Sequence, residues 1–372
     1  MATINPAAAP RFAIRTRTHV STIAALSSAA LIVFLAALPF LSGRNVMQNM
    51  FFILTMLSLA QFWNLLAGYS GLISVGQQAF VGLGAYLLFA WTILAGLDPV
   101  LAIVLSGAVA GLIALATSFL VFRLKGAYFA VGTWVVAEVF RLLLAQVKIL
   151  GGGTGTALPR EVTNDAAFVS WIAHLTGERA AVARDKADYW LALILAIGAT
   201  ALVYGLLRSR RGLALAAVRD NEAAAGSIGV DATRMKRLVY VVSAAGAGMT
   251  GALIYLAKAR ISPDAAFSLI DWTAFVFFIV IIGGIATIEG PIVGVLVFWL
   301  IQNELSDYGS VYLMLLGGLA IVIMLFFPKG VWGTFAERFD LHLFPIRRRL
   351  EFAAGIAKPE EREDIRDGAG GA

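Results

Sequence analysis

The sequence predicts an all-α fold, a polytopic integral membrane helical bundle with about ten transmembrane segments. Of the 372 residues, 60% are hydrophobic and 14% are charged, whereas a soluble protein carries about 25% charged residues. The longest apolar runs have roughly 20 residues, the length at which a helix crosses the hydrocarbon core of a bilayer. We place the segments at residues 22–41, 46–67, 72–96, 99–122, 127–147, 189–207, 238–257, 269–287, 290–306 and 311–327.

The charges between these segments predict their orientation. Basic residues concentrate in alternate connections, and such loops stay on the cytoplasmic side. The inner side then holds a tail at 1–21, a connection at 208–237 with seven basic residues, and a tail at 328–372. The outer loop at 148–188 carries five basic and five acidic residues. The transmembrane domain is therefore residues 22–327, with both termini in the cytoplasm.

Five segments followed by five of opposite sense permit an inverted repeat, a plan common among transporters. Under that plan, Gly71–Tyr86 in the first half corresponds to about Phe267–Gly284 in the second. The first apolar run is long for a signal peptide, so we expect an uncleaved first helix.

The composition excludes several functions. Without cysteine the chain has no thiolate chemistry and no Cys-ligated zinc or iron–sulfur cluster, and its three histidines lie outside the apolar runs. The G-x-G-x-x-G pattern at 246–251 lacks the length of a dinucleotide-binding unit. The glycine run at 151–156 lacks the Lys-Ser/Thr of a phosphate loop, and we predict a flexible outer turn there. We expect no catalytic residue, no bound metal or cofactor, and no nucleic-acid partner.

The segment Ser209–Gly229, SRRGLALAAVRDNEAAAGSIG, is the longest basic interruption in the second half. Alanine and leucine, both strong helix formers, dominate Leu213–Ala225. Gly212 and Gly226 flank that run as helix ends do. The pattern predicts a short basic cytoplasmic helix, which is either a solvated connection or a docking element for a partner.

The stretch GYSGLISVGQQAFVGLGAY, Gly68–Tyr86, combines glycine, serine and glutamine inside a membrane segment. Every backbone polar group in lipid needs a partner. Close helix packing through small residues is one explanation of such a stretch. The other is a broken helix whose freed N–H groups face a substrate, with the pathway lined by Ser74, Gly76, Gln77, Gln78 and Phe80.

Two charged residues, Glu138 and Arg141, lie inside the predicted segment at 127–147. They are three residues apart, so they share a helix face and can pair. At about 1.5 Å per residue, Glu138 lies roughly 16 Å from the inner end, near the bilayer midplane. A lone charge there costs at least ~2.5 kcal/mol. We predict an intramembrane pair that is either structural or part of a pathway.

The second half contains a related stretch at Ile261–Gly294. Asp271 and Thr273 begin a segment from the outside, and Gly283 and Gly284 end it on the inside. We predict that these four residues extend the substrate pathway.

The sequence RDNEAAAGSIGV resembles the EAA-type loop of ABC importer membrane subunits, in the form seen in branched-chain amino acid permeases. Glu222, Ala224, Ala225 and Gly229 match the family's Glu, Ala-Ala and Gly positions. The stretches at 68–86, 151–156 and 261–294 resemble the same family in order, with Gln77 where the family usually has His. The resemblance runs from about Phe51 to Trp332 and is to the M-type membrane subunit.

The resemblance implies a coupling helix seated on an ATPase subunit and built from Arg219, Asn221, Glu222, Ala224, Ala225 and Gly229. It also implies a second related permease subunit, two cytoplasmic ATPase subunits that hydrolyse the ATP, and a periplasmic binding protein. The complex would lie in a bacterial inner membrane. It would import branched-chain or other hydrophobic amino acids, or related amides, by alternating access.

Other classes stay open at this stage. A secondary transporter or channel shares the segments and the repeat but has no ATPase partner. A membrane oxidoreductase needs cofactor ligands, and the scarcity of His and Cys argues against it. A ribose-type sugar permease carries Asp-Leu-Ser-Val-Gly where residues 72–76 of this chain read LISVG.

Overall fold

The computed structural model describes residues 12–15, 19–164, 166–305, 308–327, 329–339, 344 and 349–352. They divide into two units, residues 29–341 and the terminal parts 1–28 with 342–372. The α-helices are α1 His19–Leu41, α2 Arg44–Asn64, α3 Gln77–Leu94, α4 Pro99–Val121, α5 Ala127–Ala145, α6 Arg160–Asn164, α7 Ala167–Thr176, α8 Ala180–Arg208, α9 Arg210–Asp220, α10 Glu222–Ser227, α11 Ala232–Lys258, α12 Pro263–Ala266, α13 Phe275–Gly283, α14 Gly290–Leu305, α15 Ser310–Phe326 and α16 Gly330–Arg338.

The helices confirm the predicted all-α membrane bundle. Within the described residues, eight helices are long and apolar enough to cross a membrane, and the apolar stretches Leu26–Leu41 and Gly290–Leu305 are shorter. Each of the ten predicted segments is helical over most of its length. The inverted repeat stays a prediction.

Helices α3, α8 and α11 begin five or more residues from their predicted positions, and α11 begins at Ala232 rather than at 238. Helix α3 begins at Gln77 rather than at 72, because residues 71–76 are non-helical. Helix α8 begins at Ala180 rather than at 189. Its first turns carry charges that are helix neighbours, such as Arg184 and Asp188 with 3.8 Å between Nε and Oδ2. An apolar run cannot reveal a charged helical extension of this kind.

Two short antiparallel strand pairs accompany the helices. In the terminal unit, β1 Phe12–Arg15 pairs with β4 Arg349–Phe352. In the other unit, β2 Thr156–Ala157 pairs with β3 Arg260–Ile261. Beyond the last predicted membrane segment, α16 packs against α13 and α14.

The long loop at residues 148–188 contains short helices. Helix α7 packs on the start of α8 around a small apolar cluster of Ala166, Val169, Ile172, Ala183 and Ala187. In the glycine run predicted as a flexible turn, Gly151 and Gly155 are in close backbone contacts, whereas Gly153 has open space around it. A Cβ on Gly155 would lie 1.9 Å from the carbonyl oxygen of Ile261, because β2 and β3 meet there.

Helices α3, α4 and α11 form the most closely packed part of the bundle. A Cβ on Gly84 of α3 would lie 2.0 Å from the carbonyl oxygen of Gly248 in α11, and one on Gly251 would lie 2.1 Å from that of Val81. A Cβ on Gly107 of α4 would meet Met249 at 2.1 Å. The glycines at 246–251 therefore let helices approach closely, which is how small residues act in membrane bundles.

This close packing predicts that one added methyl group lowers the stability of the protein. Gly84→Ala should lower the free energy of unfolding by about 1–3 kcal/mol, because overpacking displaces neighbouring backbone. The matched control is Gly198→Ala in α8, where a Cβ meets nothing within 4 Å and helix propensity favours alanine by up to about 1 kcal/mol. Thermal unfolding of the detergent-solubilised protein measures both. Equal midpoints for the two variants would contradict the close contact.

Candidate functional site

A break separates α2 from α3 inside the membrane domain. Helix α2 continues as a π-helical turn at Leu65–Tyr69, and residues 71–76 are non-helical. Gly71 has a φ of 71°, a left-handed conformation that favours glycine. We call residues 65–76 the α2–α3 break. Its position is where the sequence predicted a broken helix.

Side chains from other elements satisfy the polar backbone of the α2–α3 break. The N–H of Val75 donates to Oγ1 of Thr133 in α5, at 3.1 Å. The indole Nε1 of Trp63 donates to the carbonyl of Ser74, at 2.9 Å. A break inside lipid is tolerated only with such partners. Thr133 also ties the break to α5.

Three of the predicted pathway residues line a small interior cavity of about 20 Å³. Ser74, Gln77 and Phe80 form part of its wall, with Trp63 and Tyr240 opposite. Within the described structure, Oε1 of Gln77 has no hydrogen-bond partner. The space suits about one water molecule and is far below the roughly 300 Å³ of a small-ligand pocket. The space between these residues is therefore too small for an amino acid.

The other predicted pathway residues at the start of α3 contact neighbouring helices. The amide N–H of Gln78 donates to Oγ1 of Thr273 at 3.3 Å, and the hydroxyl of Thr273 donates to the side chain of Gln78. A Cβ on Gly76 would lie 2.2 Å from the carbonyl oxygen of Thr133. Asp271 is partly buried at the outer end, in the π-helical turn that precedes α13. The structure thus brings Gln78 and Thr273 together but places Asp271 apart from the cavity.

Gly283 and Gly284 lie at the opposite end of α13, beside the turn at residues 284–289, which we call the inner turn. A Cβ on Gly283 would lie 1.9 Å from the carbonyl oxygen of Gly290, and one on Gly284 would lie 2.8 Å from that of Lys329. Both glycines permit close approach of backbone to backbone. The nine predicted pathway residues therefore occupy three separate places.

Two polar side chains of α2 hold the inner turn, and sequence reasoning did not single them out. Asn64 accepts from the N–H of Ala286 at 2.8 Å and donates to the carbonyl of Thr287 at 2.7 Å. Gln61 donates to the carbonyl of Ile288 at 2.9 Å. Gln61 and Asn64 are fully buried. Their signal was an Asn and a Gln within a predicted apolar segment.

The basic inner segment forms two helices, not the single predicted one. Asn221 has extended backbone and caps α10 by accepting from the N–H of Ala224 at 3.0 Å. This cap ends α9 at Asp220, whereas Gly212 and Gly226 lie within helices. Asparagine is a strong N-cap residue, so the chain turns there.

The α9–α10 segment contacts the α2–α3 break. Nη1 of Arg219 donates to the carbonyl of Gly68 at 3.3 Å. Lys236 of α11 donates to Glu222 at 2.6 Å and anchors the start of α10. Gly229, just after α10, has a φ of 84°. The break is thereby joined to a segment at the inner end of α8 and α11.

The exposed side of the α9–α10 segment includes apolar residues among its charged and polar ones. Ile228 is 75% exposed and Leu213 is 60% exposed, and Ala223, Ala224 and Gly226 are also exposed. Leu215, Val218 and Ala225 are buried on the opposite face. A segment of this kind has one face committed to the bundle and another available to a partner.

Glu138 and Arg141 form an ion pair, and Arg141 also pairs with a second carboxylate. Nη2 of Arg141 lies 2.5 Å from Oε1 of Glu138, and its Nη1 lies 2.7 Å from Oδ1 of Asp264 in α12. We call Glu138, Arg141 and Asp264 the charged triad. The triad lies where α12 meets α5, at the side that the sequence predicts to face outward. Glu138 is about 16 Å from the start of α5 at Ala127 and about 10 Å from its end at Ala145, at 1.5 Å per residue. Its position near the bilayer midplane stays a prediction.

The charged triad lies on a helix with little burial. Within α5, only Phe129, Thr133 and Ala137 are buried. The side chain of Glu138 is 45% exposed and that of Asp264 is 83% exposed. Trp134, Val135 and Leu142 extend the exposed face along α5. Charged side chains in membrane segments face protein or water rather than lipid, so something other than lipid covers this face.

The fold and these contacts define a multi-pass helical membrane protein with an interrupted helix beside a small cavity. Residues 45–327 match the family described as the branched-chain amino acid transport system / permease component. The chain belongs to this family, which confirms the resemblance found in the sequence.

Its relatives carry matching names. The chain is 28% identical to the high-affinity branched-chain amino acid transport system permease protein LivM of Salmonella typhimurium over 347 residues, 89% of this chain and 78% of that protein. Its identity to the Escherichia coli protein of the same name is 28% over 348 residues, with the same coverage. A probable branched-chain amino acid transport permease protein LivM of Methanocaldococcus jannaschii is 28% identical over 224 residues, 56% of this chain and 61% of that protein. No solved structure matches the chain.

The contacts of Asn64 predict a stability effect. Asn64→Leu should lower the free energy of unfolding by about 1–3 kcal/mol, because it leaves an N–H and a carbonyl of the inner turn unpaired. Asn49→Leu makes the same change at an exposed position of the same helix and should have little effect. Thermal unfolding in detergent compares them. A wild-type midpoint for Asn64→Leu would show that the inner turn does not depend on this side chain.

Proposed function

We propose that this chain is a membrane permease subunit of an ATP-driven ABC importer. It moves branched-chain or other hydrophobic amino acids, or related amides, into the cytoplasm by alternating access. The main support is the α9–α10 segment, which presents exposed Ile228 and Leu213 outward and contacts the α2–α3 break through Arg219. An ATPase subunit docked on this segment can therefore act on the α2–α3 break, which lies beside the cavity.

The proposed transmission follows a chain of contacts. Movement of the α9–α10 segment changes the contact of Arg219 with Gly68. Gly68 lies in the α2–α3 break, whose Val75 is bonded to Thr133 of α5. A shift of the break therefore reaches α5 and its charged triad. Because α3, α4 and α11 are closely packed, they serve as the rigid part against which α5 moves.

This chain supplies no ATP chemistry in the proposed complex. The sequence contains no G-x-x-x-x-G-K-[ST] motif, which a P-loop ATPase requires. Two cytoplasmic ATPase subunits bind and hydrolyse the nucleotide and dock on the exposed residues Arg219, Asn221, Glu222, Ala224 and Gly229. Ala225, predicted as part of the same coupling loop, is buried and packs against the bundle instead. The permease itself is non-catalytic and binds no cofactor.

The proposed complex contains two more kinds of partner. The exposed face of α5 fits a second, related permease subunit, since protein must cover the charges of the triad. On the outer side, α7 exposes Trp171 and Leu175 at 57% and 66%. This ordered cap is the proposed contact for a periplasmic substrate-binding protein.

The proposed location is the bacterial inner membrane, with both termini in the cytoplasm. The basic connection at 208–237 supports this orientation. The pairing of β1 with β4 also supports it, since hydrogen-bonded strands lie on the same side of a membrane. An even number of crossings must therefore separate residue 15 from residue 349.

The main alternative is a secondary transporter or channel that works without an ATPase. Purification of the chain from its native membrane with co-purifying subunits, followed by reconstitution with the binding protein, distinguishes the two. ATP-dependent leucine uptake is the expected result. Leucine movement by the isolated chain without nucleotide would refute the proposal.

The proposed docking role predicts a variant that folds normally but no longer binds the ATPase. Ile228→Asp places a charge on the exposed apolar face, so it should reduce ATPase co-purification and uptake by at least about tenfold, equivalent to ~1.4 kcal/mol. Folding should be unaffected, because this side chain is 75% exposed. Leu175→Asp, at an exposed site of α7, should retain the ATPase. Wild-type ATPase recovery with Ile228→Asp would place the docking surface elsewhere.

A further inference from the structure

A larger cavity lies at the end of the bundle that the sequence predicts to face outward. Its volume is about 230 Å³, whereas the cavity beside Gln77 has about 20 Å³. The wall comes from the start of α2, the first turns of α8, the end of α6 and the end of α11. We call this space the outer cavity. Since small-ligand pockets begin at roughly 300 Å³, its volume is on the scale of a free amino acid.

A buried carboxylate lies in the wall of the outer cavity without a hydrogen bond. Only 9% of Asp188 is exposed. In the part of the chain that the structure describes, no group donates a hydrogen bond to its carboxylate, and the nearest cation is Nε of Arg184 at 3.8 Å. Nη2 of Arg184 donates instead to the end of α11, to the carbonyls of Ala257 at 2.8 Å and Leu256 at 3.3 Å. Because a buried charge is costly without hydrogen bonds, a donor inside the cavity would stabilise Asp188.

A guanidinium lies near this carboxylate in the same wall. Arg44 pairs with Asp185 at 2.8 Å, and Asp185 lies three residues before Asp188 on the same face of α8. The side chain of Arg44 is 67% exposed. A guanidinium has five N–H donors and a carboxylate engages two of them in a fork, so Arg44 has donors left for a second acceptor. The outer cavity therefore offers an acceptor and a set of donors one helical turn, ~5 Å, apart.

The rest of the wall is mostly apolar. Met47 and Phe51 of α2 lie in it, together with Ala181 and Ala257. The four charged side chains of the cavity, two arginines and two aspartates, sum to a formal charge of zero. Charges of both signs beside an apolar surface match a zwitterion that carries an apolar side chain.

We propose that the outer cavity binds the amino acid substrate as a zwitterion before it enters the membrane pathway. This proposal rests on the proposed function, because it takes the transported solute to be a hydrophobic amino acid. The α-ammonium group donates to Asp188, and the α-carboxylate accepts from Arg44. The side chain of the substrate packs on Met47 and Phe51.

Both charged ends of the ligand are part of this assignment. An amine alone satisfies Asp188 but leaves the free donors of Arg44 unused, and an acid alone leaves Asp188 without a donor. The two guanidinium groups in the wall repel a divalent ion. The described residues also include no group of three or more His, Cys, Asp or Glu side chains that could hold a metal.

Thiol protection tests this inference directly, because the chain contains no cysteine. Ala181→Cys places a single thiol in the wall of the outer cavity, at an exposed position. In the purified full-length chain, millimolar leucine should slow labelling of this thiol by a water-soluble maleimide several-fold. Isopentylamine lacks the carboxylate and isocaproate lacks the amino group, so each should need at least about tenfold more for half-protection, equivalent to ~1.4 kcal/mol. Gln48→Cys, in the same wall, replaces Ala181→Cys if that thiol does not react.

Neutralising variants complete the test. Asp188→Asn or Arg44→Gln, combined with Ala181→Cys, should raise the leucine concentration for half-protection by about tenfold. Arg44 is mostly exposed, so Arg44→Gln decides the matter if Asp188→Asn does not fold. The control Asp264→Asn removes an exposed carboxylate of the charged triad, which is not part of this wall, and should leave protection unchanged. A thiol at Leu175→Cys on α7 should not be protected by any of the three compounds.

Several outcomes would overturn the zwitterion site. Absence of protection by leucine at both reporter positions would show a cavity that holds water only. Equal protection by leucine and by either single-charge compound would reject the assignment of both ends, as would unchanged protection in the neutralised variants. ATP-driven leucine uptake by the unmodified complex is measured in parallel. Intact uptake with failed protection rejects this inference alone, whereas absent uptake rejects the proposed function whatever the protection shows.

Discussion

The need to pair every backbone polar group inside lipid governs this structure. Residues 71–76 leave the helical ladder in the middle of a membrane domain, which is possible only because other groups replace the lost hydrogen bonds. Thr133 and the indole of Trp63 provide two of them, and Thr273 accepts from the N–H of Gln78 in the first turn of α3. These partners come from α5, from α2 and from the π-helical turn before α13. The break and the start of α3 therefore form a junction with three elements.

The helices around this junction differ in how much they can move. Glycines in α3, α4 and α11 bring backbones so near that even a single added carbon would collide. Helix α5, by contrast, buries only three residues and touches the break mainly through Thr133. Helices α3, α4 and α11 are therefore packed more closely than α5, which carries two of the three charges of the triad.

Much of the fold could be predicted from the sequence, because membrane helices are recognised by the length and apolarity of their segments. The start of α8 could not, since its charged first turns resemble a loop. The division of the basic inner helix at Asn221 follows from a cap, a signal present in the sequence but outweighed by the surrounding alanines. Sequence patterns predicted an element correctly where the contacts that determine it join residues close in sequence.

The contacts of the candidate site were less predictable, because many of them join residues far apart in sequence. Glu138 and Arg141 are helix neighbours and could be paired by spacing, but Asp264 is more than a hundred residues away and joins them only through the fold. Asn64 and Gln61 were visible as polar residues in an apolar run, yet their partner is a turn far along the chain. Ser74, Gln77 and Phe80 do share a cavity, and its small size could not be anticipated.

That small cavity has a consequence for the cell. A bacterium stores energy as a voltage and a proton gradient across its membrane, and any continuous file of water would discharge both. Inside this subunit the space beside Gln77 admits about one water molecule and is walled by Phe62, Trp63 and Tyr240. A space of this size holds too little water to form such a file by itself.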